Sequence, residues 1–159
     1  MITIDIPVSK AAKKFLTTKY GPQFIVSSNY PLGITILAVL NKSVQSIRQD
    51  YKVDKFPEVY KIFISEDQMS RDGCWLSVKD VKTLANYIEK DFRDFVYTHT
   101  ALTSSFRKSK YREILRHLLQ SYNITEDDWN LASVVKDFDR AKEKEPLKSI
   151  ISERIKMIA

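Results

Sequence analysis

Glycine is scarce in this chain, which has three glycines in 159 residues. Gly21, Gly33 and Gly73 each stand alone, outside any glycine-rich run. Loops that cradle phosphate groups need glycines because the backbone must approach the ligand closely. A serine nucleophile elbow needs glycines around the serine for a similar reason. The sequence therefore excludes a P-loop, a dinucleotide-binding fingerprint and a nucleophile elbow.

Cysteine and histidine are rarer still. Cys74 is the single cysteine, which excludes an internal disulfide and a multi-cysteine zinc site and fits a reducing cytoplasm. We expect it to be a small buried residue beside Trp75. His99 and His117 lack metal-ligand spacing; His99 continues an apolar stripe, which favours a core or interface position, and His117 is expected to be solvated. We predict no metal and no cofactor, and the sequence proposes no catalytic residue, so enzymatic activity stays open.

Long apolar runs are also missing. The longest, residues 31–40, covers ten residues, about half of a membrane span. The first ten residues lack the basic and apolar regions of a signal peptide. With 43% hydrophobic residues, the chain is expected to be one soluble cytoplasmic domain over 1–159, without membrane contact. A subdivision into an α+β part, 1–76, and a helical part, 77–159, is an alternative.

Three segments carry the pattern of β-strands. Residues 2–8 alternate with Ile2, Ile4 and Ile6 on one face, and Pro7 either ends this strand or places it at a sheet edge. Residues 59–66 alternate in the same way, and a short strand is expected at 24–27. Residues 71–77 resemble a turn followed by an extended piece.

Helical periodicity covers most of the rest. Ser9 and Gly21 delimit one helix, and another begins near Pro31. Residues 77–106 carry the strongest helical pattern, and Ser77 with Asp80 resembles a capping box. Further helices are expected over 109–122, after an N-cap at Thr125, and over 147–159. The predicted fold class is α+β, a small N-terminal sheet packed on helices and a helical C-terminal half with one long helix, about 77–106.

Charge is distributed unevenly within a formal net charge of +6. Residues 107–122 carry five Lys or Arg against one Glu, and residues 123–145 carry four against seven Asp or Glu. A basic balance favours acidic partners, nucleic acid first. The basic block either forms a charged surface for an acidic partner or pairs with the acidic block on a neighbouring helix.

The acidic knot Glu126, Asp127 and Asp128 is expected in the first turn of a helix, where the helix dipole favours carboxylates. We prefer this interpretation to a magnesium site completed by phosphate oxygens. In a helix–turn–helix the second helix enters the major groove with its N-terminal residues. Three carboxylates at that position would be repelled by phosphates, so we exclude this helix as a reader of bases.

The basic block borders the apolar arc of helix 109–122. Such a border is typical of a phosphate-contacting helix, and equally of long side chains that lie along the edges of an amphipathic helix. If the block binds nucleic acid, the contacts are with the backbone. The candidate residues are Arg107, Lys108, Lys110, Arg112 and Arg116, joined by Lys10, Lys13 and Lys14 of the first helix.

Two stretches, "ITIDIPVSKAAKKFLTTKYG" and "YNITEDDWNLASVVKDFDR", resemble small uncharacterised proteins of bacterial phages and mobile elements. The resemblance implies a context, a bacterial cytoplasm or a virion, and no activity.

The leading hypothesis is a non-enzymatic nucleic-acid-associated (DNA-binding) protein. The alternative is a structural or assembly protein, whose partner is a second copy or another protein bound through helix 77–106. Apolar surface left uncovered on that helix would favour the alternative.

Overall fold

The computed structural model describes residues 1–40, 56–106, 110–144 and 147–149. Contacts divide the chain into a first unit, Met1–Lys90, and a second unit, Asp91–Ala159. The first unit holds a three-stranded sheet with helices, and the second is helical in its described part. The predicted α+β class is therefore confirmed, and the single domain over 1–159 stays a prediction.

The sheet consists of β1 (Ile2–Val8), β2 (Gln23–Ile25) and β3 (Glu58–Ile64) in the order β1-β3-β2. β1 runs antiparallel to β3, and β2 runs parallel to it. The predicted alternation of β1 is confirmed, with Ile4 opposite Ile62 and Ile6 opposite Tyr60. Pro7 lies within β1, which is an edge strand of this sheet, so the edge interpretation is the right one.

The core of the first unit lies between one sheet face and α1 (Lys10–Tyr20). The side chain of Ser9 caps the helix by accepting from the Ala12 N–H at 3.2 Å, and Gly21 ends it with a φ of 92°. Both predicted boundaries are confirmed. The buried residues from the strands and the helix are Ile6, Val8, Phe24, Tyr60, Ile62, Ile64, Ala11, Ala12, Phe15 and Leu16.

Helix α2 (Pro31–Val39) begins at the predicted proline and ends before Leu40, which is extended. Gly33 lies in its interior, where glycine is ordinarily unfavourable. A Cβ atom at this position would overlap with the backbone carbonyl of Ser27. Close packing of the helix on that turn therefore requires glycine. Residues 41–47, the rest of the stretch in which this helix is expected, lie outside the described residues.

The sequence analysis missed α3 (Glu66–Asp72). Ser65 and Gln68 form a capping box that ends β3 at Ile64, two residues before the predicted end of the strand. The Gln68 amide also donates to the Val26 carbonyl at 2.9 Å. The turn expected at 71–77 begins later than predicted, since residues 71 and 72 are still helical.

The long helix α4 (Val78–Phe106) is continuous over 29 residues, which confirms the predicted long helix. Its capping box is confirmed, because Asp80 accepts from the Ser77 N–H at 3.0 Å and Ser77 Oγ accepts from the Asp80 N–H at 3.1 Å. Within the first unit, Glu89 accepts from the Ser9 N–H at 2.9 Å. The buried side chains of the helix are Val81, Leu84, Ala85, Ile88, Phe92, Val96, Tyr97, Thr100 and Ala101.

Among the described side chains of α4, Val78 and His99 depart from the apolar pattern that predicts the helix. Val78 is 42% exposed, and His99 is exposed, so the core interpretation of His99 is wrong. In the second unit the buried arc centres on Tyr97 and Thr100, and His99 falls outside it. The buried Thr100 hydroxyl is hydrogen-bonded, because it donates to the Val96 carbonyl at 2.7 Å.

The second unit continues with α5 (Tyr111–Ser121) and α6 (Leu131–Ala141), which pack against each other. Helix α5 buries its predicted stripe, and His117 is exposed as expected. Residues 147–149 are helical. The remainder of the predicted terminal helix, 150–159, lies outside the described residues. The buried side chains of the two helices are Ile114, Leu115, Leu118, Leu119, Leu131, Val134 and Phe138.

Candidate nucleic-acid interface

The basic residues of helix α5 lie outside its buried stripe and border it, as predicted. Lys110 lies at the N-cap position, and Arg112 and Arg116 follow one turn apart along the helix. All three side chains are exposed. Among the described residues, no carboxylate lies within ion-pair distance of any of them. The three cations are therefore available to an anionic partner. Arg107 and Lys108, the other two candidates on this segment, lie outside the described residues.

The candidates of α1 belong to the first unit, and they differ among themselves. Lys10 is exposed, whereas Lys13 and Lys14 are half-buried. The Lys13 ammonium lies 2.8 Å from the Glu58 carboxylate on β3. A charge that already has a partner gains less from a phosphate, because the existing pair must be broken or shared. Lys13 is therefore a weaker candidate than the exposed Lys10.

The acidic knot is not the first turn of a helix, which corrects the sequence analysis. Asp128 accepts from the Thr125 N–H at 2.7 Å and from its hydroxyl at 2.9 Å, and this closes a separate turn. Asn130 is the N-cap of α6. Both Thr125 and Asn130 are good capping residues, and the helix begins after the second because Leu131 starts its buried stripe.

Helices α5 and α6 do not form a helix–turn–helix, but for a different reason from the one expected. The first turn of α6 contains no acidic residue, so the repulsion argument was wrong. The connection between α5 and α6 covers residues 122–130, which is longer than the turn of about three to four residues in that motif. Glu126 still influences the start of α6, because its carboxylate accepts from the Leu131 N–H at 2.9 Å.

A cleft of about 320 Å³ opens beside Arg116, where the connection folds back over the end of α5. Asn123 allows this reversal with a φ of 55°, and the Ile124 N–H donates to the Leu119 carbonyl at 2.9 Å. The sequence analysis missed this cleft. Its only signal is an asparagine at a helix end, a residue that tolerates the left-handed conformation. Its lining includes Leu119, Gln120, Asn123, Ile124, Glu126, Trp129 and Leu131.

The Trp129 indole at this cleft packs against two side chains of α4. Its ring centroid lies 5.1 Å from that of Phe92, and the Arg93 guanidinium lies over the ring at 5.4 Å. Arg93 in turn pairs with Asp137 of α6 at 3.3 Å. These contacts fix the indole, so the aromatic wall of the cleft is formed before any ligand binds.

The described residues contain no group of three or more His, Cys, Asp or Glu side chains arranged to hold a metal ion. Cys74 is half-buried rather than fully buried. In the part of the chain that the structure covers, we find no helix with both the length and the apolar character that a membrane span requires.

Comparison with protein-family models, with curated proteins and with solved structures gives no match for this chain.

Proposed function

We propose that the chain is a non-enzymatic protein that binds nucleic acid through its phosphate backbone, using the exposed basic face of α5. The observation that supports this most is the pair Arg112 and Arg116, which are exposed and have no described carboxylate within ion-pair distance. The alternative role for basic residues on a helix surface is to pair with neighbouring acids. Among the described residues, no acid of the acidic knot lies within ion-pair distance of Lys110, Arg112 or Arg116.

The chemistry of arginine suits this role. A guanidinium is always charged and presents a planar fork of donors that matches two phosphate oxygens. Contacts of this kind position a protein on a strand and carry no sequence information. The expected binding is therefore weakly selective for sequence and steeply dependent on salt. Lys110 at the N-cap position of α5 is a further candidate, as are Arg107 and Lys108 before it. Lys10, Lys13 and Lys14 of α1 are additional candidates, and the ion pair of Lys13 with Glu58 makes it weaker than Lys10.

A phage or mobile element in a bacterial cytoplasm is the proposed setting, on the resemblance of the two stretches given above. The alternative function, an assembly protein that binds a second copy or another protein through α4, would need apolar surface on that helix. Among the side chains of α4 that the structure describes, Val78 is the exposed apolar one. The observations thus favour nucleic acid, and sedimentation of the free protein separates the two, since the homo-oligomeric alternative requires a stable oligomer.

The experiment is a fluorescence-anisotropy titration of mixed-sequence duplex and single-stranded DNA at about 50 and 200 mM salt. Three phosphate contacts, one for each described cation of α5, predict that duplex affinity falls about 40-fold across this range. We expect binding of micromolar affinity or tighter at the lower salt. Absence of binding at about 50 mM salt would refute the proposal and direct the search to protein partners.

A further inference from the structure

The cleft beside Arg116 has the size and floor of a small-ligand site. Its volume of about 320 Å³ lies at the lower end of the range for such sites, about 300–1,000 Å³. The side chains of Leu119, Ile124 and Leu131 are buried and give it an apolar floor. A flat, mostly apolar ring fits such a floor better than a flexible charged molecule does.

One wall of the cleft is aromatic. Trp129 lies there half-buried, with Phe92 and the Arg93 guanidinium against its ring. Aromatic side chains that line nucleic-acid grooves hold unpaired bases by contact with their rings, whatever the base. A base within a duplex is stacked on both faces and paired along one edge, so a wall of this kind would favour single strands.

The polar groups of the cleft add a preference among bases. The amides of Gln120 and Asn123 each offer a donor and an acceptor. The Glu126 carboxylate offers acceptors only, and one of its oxygens already accepts from the Leu131 N–H. Its second oxygen suits an exocyclic amino group, which cytosine, adenine and guanine carry and thymine lacks.

We propose that the cleft holds one unpaired nucleobase bearing an exocyclic amino group, while Arg116 at its mouth contacts the phosphate of the same strand. This inference rests on the proposed function, because the base belongs to the same strand whose phosphates contact the basic residues of α5. It adds two properties, a preference for single strands over duplex and a preference for cytosine over thymine.

The test uses the full chain with Trp75→Phe, which leaves Trp129 as the only tryptophan. Three strands of equal length are titrated, namely oligo-dC, oligo-dT and an abasic strand with the same phosphates. We expect oligo-dC to change the Trp129 fluorescence and to bind at least about fivefold more tightly than the abasic strand. Equal affinity for oligo-dC and the abasic strand would overturn the base site while leaving the phosphate contacts intact. Binding of none of the three would instead refute the proposed function itself.

Glu126→Gln tests the amino-group preference, because the new amide can still accept from the Leu131 N–H. The variant is expected to lose the preference for oligo-dC over oligo-dT and to keep its preference over the abasic strand. Asp127→Asn, an exposed neighbour with the same change of charge, is the matched control and should keep both preferences. If the control loses the dC preference equally, the assignment to Glu126 is overturned.

Fluorescence changes produced by free dCMP at the same concentration as the strand would overturn the strand assignment in favour of a free nucleotide.

Discussion

Replacing Tyr97 by phenylalanine should stabilise the protein. Tyr97 is 7% exposed, and its hydroxyl has no hydrogen-bond partner among the described residues. Burial of an unbonded hydroxyl costs about 1–3 kcal/mol. The ring keeps its contacts with Trp129 and Phe138, at 6.4 and 5.9 Å between centroids, after the substitution. We expect the free energy of unfolding to rise by about 1 kcal/mol, at the low end because the nearby Arg93 charge interacts with the hydroxyl.

Tyr60→Phe is the matched control, since Tyr60 is also buried, at 1% exposure, but its hydroxyl donates to the Gly21 carbonyl at 2.9 Å. Loss of that hydrogen bond should lower the free energy of unfolding by about 1 kcal/mol. In urea titrations followed by circular dichroism, the two midpoints should move in opposite directions by about 0.5 M, for a slope of about 2 kcal/mol/M. A Tyr97→Phe midpoint that falls as far as that of Tyr60→Phe would refute the reasoning.

Three further predictions concern stability. Gly33→Ala should lower the free energy of unfolding by about 1–3 kcal/mol, because its Cβ would overlap with the Ser27 carbonyl; an unchanged melting temperature contradicts this. Ser77→Ala should cost about 1 kcal/mol through loss of the α4 cap, as thermal unfolding would reveal. Burial raises the pKa of Tyr60 and Tyr97 to about 12 from 10.0. Unfolded tyrosines therefore ionise first, so stability should decline between about pH 10 and 12, and the double phenylalanine variant should flatten that decline.

Local patterns predicted those elements whose core contacts repeat along the chain. The alternation of Ile2, Ile4 and Ile6 predicted β1, and the register with β3 buries that face. The capping pair Ser77 and Asp80 predicted the start of α4 to the residue. In both cases the sequence signal and the tertiary contacts favour the same conformation.

Elements without such repetition were missed or misplaced. Helix α3 has no buried side chain, so hydrophobic periodicity gave no signal, and only the Ser65–Gln68 capping box marks it. The start of α6 was misplaced because Thr125 and Asn130 are both competent N-caps. The choice between them depends on packing of the Leu131 side chain, a tertiary contact.

Some features of the candidate site could be predicted from local sequence patterns, and others depend on tertiary contacts. Exposure of Arg112 and Arg116 could be predicted, because both lie outside the apolar stripe of α5. The ion pair of Lys13 with Glu58 could not, since it joins residues 45 positions apart. The cleft could not be predicted either, because it forms only when the left-handed Asn123 directs the connection back over α5.

The central claim is that α5 contacts phosphates, and the measurement that tests it most directly is the salt dependence of binding in Arg112→Ala/Arg116→Ala. Its matched control is Lys79→Ala/Lys82→Ala, two exposed lysines of α4 with the same change of net charge. Duplex affinity of the arginine variant should fall about equally for all sequences. The slope of log affinity against log salt should become shallower by about 1.8, or about 1.4 for single strands. The lysine variant should keep a slope close to that of the unmodified protein. An arginine variant with unchanged affinity and slope would contradict the account.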